Sequence, residues 1–223
     1  MPESHHIGRI VVHPDDPNTV FVAALGHLYS ENPERGLYKT TDGGETWENV
    51  LHPSEHTGCW QLHMDPRDPD VLYAVAHQRQ RYLTTIVTGG DESAIYKTSD
   101  GGATWKRLEG GLPQTMVGRI GMDISPVNPD IVYATIEADA LEKGFYRSTD
   151  KGESWEKQNS YISGGTGPHY YQEIEASPRD PNLVYQMDVF LHVTRDGGKT
   201  FDYLGTGREK HSDNHALWID PTD

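Results

Sequence analysis

Apolar positions along the 223 residues fall in short runs at strand-like alternation, with hardly any helical period between them. One arrangement of runs comes back four times. Ile10-Val11-Val12 and Val20-Phe21-Val22 flank His13-Pro14-Asp15-Asp16-Pro17-Asn18-Thr19, and Leu62-His63-Met64 and Val71-Leu72-Tyr73-Ala74 flank Asp65-Pro66-Arg67-Asp68-Pro69-Asp70. The same pattern recurs around Pro126-Val127-Asn128-Pro129-Asp130 and around Pro178-Arg179-Asp180-Pro181-Asn182. Proline presets φ and lacks an N–H donor, so each unit reads as strand, tight turn, strand. A third run follows in Gly36–Thr40, Ala94–Thr98, Gly144–Ser148 and Leu191–Thr194, and a fourth after it, as in Thr46-Trp47-Glu48-Asn49-Val50. Named A, B, C and D, these strands predict a four-stranded antiparallel meander repeated four times.

Between C and D an octapeptide recurs: Thr40-Thr41-Asp42-Gly43-Gly44-Glu45-Thr46-Trp47, with its counterparts at 98–105, 148–155 and 194–201. A period of about 50 residues is the size of a propeller blade. The aspartate suits a turn in which it accepts backbone N–H bonds, the glycines supply positive φ, and Ser/Thr closes the ring. The aromatic that follows packs into the stack of sheets. Asp42, Trp47, Asp100, Trp105, Asp150, Trp155, Asp196 and Phe201 are therefore read as structural, since four equivalent copies rarely all do chemistry. The expected fold is an all-β propeller with blades at residues 7–50, 58–108, 118–158 and 170–204. A further inner strand is expected in residues 215–223. A closed four-bladed ring has no place for that strand, so the expected partners include remaining blades of a larger propeller or a complementary segment.

Composition narrows the function. The chain carries 34 acidic against 19 basic residues, a formal net charge of −15. That argues against non-specific nucleic-acid binding and against docking on anionic lipid. Cys59 is the single cysteine, so no internal disulfide can form. No apolar stretch reaches the roughly 18 residues of a membrane span. Met1-Pro2-Glu3-Ser4-His5-His6 lacks the basic and apolar regions of an export signal.

The octapeptide S/T-x-D-x-G-x-T-W is the Asp-box, or BNR repeat. Combined with the D-P-x-x-P-D-x-x-Y turn over nearly the whole chain, it resembles the propellers grouped with the sortilin/Vps10 N-terminal domain. It also resembles bacterial proteins labelled "glycosyl hydrolase, BNR repeat", through Gly8-Arg9-Ile10, Gly118-Arg119-Ile120 and His211-Ser212-Asp213-Asn214-His215-Ala216-Leu217-Trp218-Ile219-Asp220-Pro221. Members include sialidases, xyloglucanases, photosystem assembly factors and peptide-binding sorting receptors. No motif here assembles the sialidase arginine triad, and no residue is carried over as catalytic. The resemblance implies an extracytoplasmic scaffold that binds a glycan or a peptide, with a xyloglucanase-like glycoside hydrolase as the alternative.

In such a meander the A–B turns and the Asp-boxes share one end of each blade, and the variable D–A and B–C loops share the other. Variable loops on a rigid scaffold are where binding and catalysis usually lie. The D–A loops deliver His5, His6, Trp60, Gln61, Arg119, His169, Tyr170, Tyr171, His211, Asp213 and His215 to the starts of the A strands, a lining suited to a sugar or another polar ligand. Arg79 and Arg81, in the longest B–C loop, could grip a carboxylate. No cofactor is expected, although His211, Asp213 and His215 at i, i+2, i+4 would share one strand face and could hold a divalent metal. Glycoside hydrolysis needs two carboxylates. The candidates are Asp91, Glu92, Glu137, Asp139, Glu173, Asp188 and Asp213, with Asp213 foremost because two histidines flank it.

Overall fold

The computed structural model describes residues 3–162, 172–205 and 211–222. Among them there is no helix, and no element is long and apolar enough to cross a membrane as one. The first sheet is β1 (His6–Val12), β2 (Val20–Gly26), β3 (Gly36–Thr40) and β4 (Glu48–Leu51), in that spatial order. The second runs β5 (Thr57–Asp65) and β6 (Asp68–Gln78); the next pair, β7 (Gln80–Arg81) and β8 (Ile86–Val87), forms a separate hairpin inside the B–C loop. β9 (Ala94–Thr98) and β10 (Lys106–Arg107) complete that blade. The third is β11 (Ile120–Ile124), β12 (Val132–Ile136), β13 (Gly144–Ser148) and β14 (Glu156–Asn159). The fourth is β15 (Glu173–Ala176), β16 (Val184–Met187), β17 (Leu191–Thr194) and β18 (Asp202–Tyr203). All pairings within the four sheets are antiparallel, so the chain is an all-β propeller chain of four-stranded blades. The longest B–C loop, that of blade 2, thus contains a two-stranded hairpin of its own. Residues 211–222 carry no strand: Asp213 N donates to Val189 O at 3.0 Å and Asn214 N to Asp188 O at 2.9 Å, which hangs the segment on a turn of blade 4 instead of on a ladder.

The Asp-box turn is built as its residues dictate. Thr46 donates to Asp42 through its backbone N–H (2.9 Å) and hydroxyl (2.5 Å), while Thr40 Oγ1 donates to Asp42 Oδ1 at 2.6 Å. Gly43 and Gly44 adopt φ of 74° and 98°, in the left-handed region open to glycine. Each box is also bonded to the A–B turn of its own blade. Gly43 N donates to Asn18 O, Gly101 N to Asp70 O, Lys151 N to Asp130 O and Gly197 N to Asn182 O, all within 2.9–3.0 Å. Both repeated turns therefore share one end of every blade, and the D–A and B–C loops share the other.

The chain divides into two compact units, Met1–Leu108 and Glu109–Asp223, each a pair of blades. In the first, Phe21, Ala23 and Leu37 of blade 1 pack on Leu62, Leu72, Ala74 and Ala76 of blade 2. In the second, Ile131, Tyr133 and Phe145 of blade 3 pack on Ile174, Ala176 and Val184 of blade 4. Inner strands approach backbone to backbone: a Cβ on Gly8 would lie 2.3 Å from Trp60 O, and one on Gly121 would lie 1.7 Å from Gln172 O. These glycines position the A strands, and with them the loops at the variable end.

Candidate functional site

At the variable end of the first unit, Arg35 organises the B–C loop from a fully buried position. Its guanidinium donates to Leu25 O (2.7 Å), His27 O (2.6 Å) and Ser30 O (3.1 Å). His5 stacks on His27 with ring centroids 4.1 Å apart, and His6 Nδ1 lies 3.0 Å from Gly26 O. Trp60 and Gln61 are buried within β5, as is Cys59, whose thiol burial pushes up to about 12. The backbone N–H of Arg81 donates to Leu28 O at 2.7 Å, which ties the β7–β8 hairpin to blade 1's loop. Glu92 accepts from Ser54 Oγ and Thr57 Oγ1 at 2.5 Å each, so this carboxylate holds loops together. Asp139, in the second unit, does the same, capping its turn through Leu141 N and Glu142 N.

The second unit gathers more chemistry. Arg119 and Glu137 extend the β11–β12 pairing by one step: Glu137 N donates to Arg119 O at 3.0 Å, and Arg119 N donates to Glu137 Oε2 at 3.1 Å. The Arg119 guanidinium lies 3.8 Å from Glu173 Oε1. Burial raises the Glu137 carboxyl above the ordinary glutamate value, against the pull of the Arg119 N–H and charge.

Around blade 4, Asp188 is buried and accepts from Val189 N at 2.6 Å. Asn214 Nδ2 donates to Asp188 O and Val189 O, so residues 213–214 lie against residues 188–189. Among the described residues three non-glycine residues have positive φ, and two of them sit here, Gln172 at 78° and Asp213 at 69°. A side-chain residue held there costs on the order of 1–3 kcal/mol and marks a constrained place. The Gln172 side chain is also buried, and its amide nitrogen and oxygen make no hydrogen bond among the described residues.

Beside them lies an aromatic wall that sequence reading passed over. The Tyr161 hydroxyl is 3.0 Å from His192 Nδ1, and its ring stacks on Phe201 at 5.1 Å. Burial, then the charge of Asp188, pushes the Tyr161 phenol up to about 12. Burial lowers His192 below the ordinary histidine value, and Asp188 opposes that shift. His192 meets the Tyr203 ring at 5.7 Å, and Tyr203 meets Phe190 edge-on at 5.5 Å. Phe190 and Tyr203 expose nearly half their surface. The signal for this wall was the register His192↔Tyr203, visible only once the strands pair.

Among the described residues no group of three or more His, Cys, Asp or Glu is arranged to hold a metal. His211, Asp213 and His215 are exposed, and no strand aligns them on one face. His169, Tyr170 and Tyr171 lie outside the described residues. Within the first unit His5 and His6 meet the Gly26–Asn32 loop region; within the second, Arg119 meets Glu137 and Glu173, and Asp213 meets the Asp188 turn.

No protein-family model matches the chain. Xyloglucanase Xgh74A of Acetivibrio thermocellus is 27% identical over 174 residues, covering 67% of this chain and 19% of that protein. Vacuolar protein sorting/targeting protein 10 of Colletotrichum graminicola is 25% identical over 192 residues, covering 78% of this chain and 11% of that protein. The chain therefore spans less than a quarter of the length of either relative. Among solved structures, an ancestral GH74 enzyme superposes with a TM-score of 0.68 at 17% identity over 98% of this chain and 28% of its own. These findings agree with the repeats: the chain is an Asp-box propeller chain that resembles both the xyloglucanase and the Vps10 propellers.

Proposed function

We propose that this chain is a neutral-glycan-binding part of a glycoside-hydrolase-like propeller that works outside the cytoplasm, with the ligand held at the variable end of blade 4. One observation carries the reading: the half-exposed Phe190 and Tyr203 rings stand beside the His192–Tyr161 pair and the Asp188 turn. A pyranose ring offers C–H faces to aromatics and hydroxyls to hydrogen-bonding groups, and this wall offers both partners. Similarity to xyloglucanases supports a polysaccharide over a peptide as ligand. Isothermal titration of soluble xyloglucan, mixed-linkage glucan and galactomannan into the chain tests it. Tyr203→Ala and Phe190→Ala should each weaken binding about tenfold, roughly 1.4 kcal/mol. Wild-type chain that takes up none of the three polymers, yet binds extended peptides, would end this reading.

A second reading, hydrolysis, rests on the adjacency of buried Asp188 and exposed Asp213. Bond cleavage requires two carboxylates with contrasting environments, roughly 5–10 Å apart. It predicts reducing-sugar release from the bound polymer, abolished by Asp213→Asn with binding retained.

A further inference from the structure

Each unit contains one joint between neighbouring blades, and the repeat lets the two joints be compared position by position. In the first unit Phe21, Ala23 and Leu37 of blade 1 pack on Leu62, Leu72, Ala74 and Ala76 of blade 2. That joint stays apolar towards its variable end, where Ala23, Ala74 and Ala76 are fully buried. Counted from the A–B turns, the same positions in the second unit are Thr135, Gln186 and Asp188, and Gln172 stands at the position of the buried Trp60. All four of these polar residues are buried, and Thr135, Gln172 and Gln186 are 0% exposed. One joint is filled with alanine and tryptophan, the other with amides, a hydroxyl and a carboxylate.

The second joint is tight at its Asp-box end. Asp123 Oδ2 accepts from Ala176 N at 2.7 Å, the Tyr133 hydroxyl donates to Pro181 O, and Phe145 lies against Gly198. Towards the variable end Gly121 lets Gln172 approach Thr135: a Cβ there would lie 1.7 Å from Gln172 O and 2.9 Å from Thr135 Cγ2. Side-chain contacts at this end are longer. Gln186 Nε2 donates to Thr135 Oγ1 at 3.3 Å, and Arg119 lies 3.8 Å from Glu173. Gln172 Nε2, Gln172 Oε1 and Gln186 Oε1 are buried with no hydrogen-bond partner among the described residues. Such atoms cost stability, and Gln172 adds backbone strain at φ of 78°. Two costs at one residue are the pattern of a functional site and not of a packed core. The polar row also runs outward to the aromatic wall. Gln186 stands opposite His192, and His192 opposite Tyr203, so all three share one face of blade 4.

We propose that Gln172 and Gln186 read the hydroxyls of the glycan, taking up a vicinal diol of a neutral sugar unit next to the unit that stacks on Tyr203; this rests on blade 4 being a glycan site. A primary amide offers donors and an acceptor side by side, and two neighbouring hydroxyls offer the complementary pair. Neither amide is charged, so a neutral diol leaves no charge buried and unpaired. Uptake parts the variable end of the joint, where the 3.3 Å and 3.8 Å contacts are the ones exchanged for the ligand.

The test is isothermal titration of xyloglucan, and of the same polymer after O-methylation, into wild type, Gln172→Met, Gln186→Met and Tyr203→Ala. Methionine keeps the length of glutamine without its polar atoms. Wild type should bind the methylated polymer at least about tenfold more weakly than the native one. Both Met variants should bring that ratio below about threefold by losing affinity for the native polymer. Their unliganded Tm should equal or exceed that of wild type, because an unbonded amide is gone. Tyr203→Ala should weaken both polymers and keep the ratio. The ratio compares two ligands on one protein, so it reports the diol contacts even in a variant of lower stability. A wild-type ratio near one, or a ratio that the Met variants retain, overturns the proposal and leaves glycan binding to be judged by Tyr203→Ala. A retained ratio beside a lower Tm would mean that the amides are bonded inside the fold through ordered water. A wild type that binds neither polymer ends the glycan reading and this inference together.

Discussion

At the scale of the residue, the Asp-box aspartates show how a motif of eight residues sets its own electrostatics. Asp100 is held at about 2 by hydrogen bonds from Thr104 and Thr98, and Asp150 at about 2 chiefly by Ser154. Burial pushes Asp196 upward, but bonds from Thr200 and Thr194 outweigh it and leave it at about 2. Bonds from Thr40 and Thr46 lower Asp42 in the same direction. A carboxylate whose pKa falls on folding stabilises the fold above its unfolded value, near 4, and loses that contribution as the pH drops through the folded value. The urea midpoint should therefore fall steeply between about pH 4 and pH 2. In Asp150→Asn the midpoint should be lower than wild type at pH 6, and the gap should close by about pH 2. A gap that is constant with pH would mean the aspartate acts through shape and not through charge. These roles were legible in the sequence because every partner lies within four residues. The Tyr161–His192 pair was not, because 31 positions separate its members and only the packed blades bring them together.

At the scale of the element, the sequence marked strands well and loops poorly, for a physical reason. Strand pairs here are joined by short turns whose Pro, Gly and Asp positions fix local φ, so register follows from the turn. The B–C and D–A loops take their form from side-chain contacts beyond the turn itself, as where Arg35 donates to the carbonyls of Leu25, His27 and Ser30, and alternation says nothing about those. The β7–β8 hairpin and the failure of residues 215–222 to form a strand belong to this class. A strand also needs a ladder partner, and residues 213–214 are instead fixed to the turn at Asp188. One comparison tests the blade joint at this scale. Gly198 and Gly44 occupy the same Asp-box position, with φ of 101° and 98°. A Cβ on Gly198 would lie 2.2 Å from Phe145 Cδ1, whereas a Cβ on Gly44 meets nothing closer than 3.5 Å. Both Gly→Ala changes carry the backbone strain, and only Gly198→Ala adds a clash, so it should be the more destabilising by about 1–3 kcal/mol in urea unfolding. Equal effects would show that the ring above Gly198 yields freely.

At the scale of the whole molecule, the excess of acid selects among ligands. A net charge of −15 on 223 residues biases the molecule's field toward negative, and the aromatic wall at blade 4 has Asp188 and Asp213 as neighbours. A neutral polymer that stacks on Phe190 and Tyr203 feels little of that field, because its contacts are dispersion and short hydrogen bonds. A polyanion must approach against it, and salt screens the repulsion over roughly 10 Å at 0.1 M. Raising NaCl from about 0.02 M to about 0.3 M should therefore change the Kd for neutral xyloglucan by less than about twofold. Over the same range polygalacturonate should stay unbound at low salt and gain at most weak binding at high salt. Titrating both polymers at the two salt levels, with Tyr203→Ala beside wild type, separates the contributions: loss of the ring should weaken the neutral polymer equally at each salt. Tighter binding of the polyanion at low salt would require a local cationic patch strong enough to reverse the molecule's field, and would move the ligand site away from blade 4 toward a cluster such as Arg79 and Arg81.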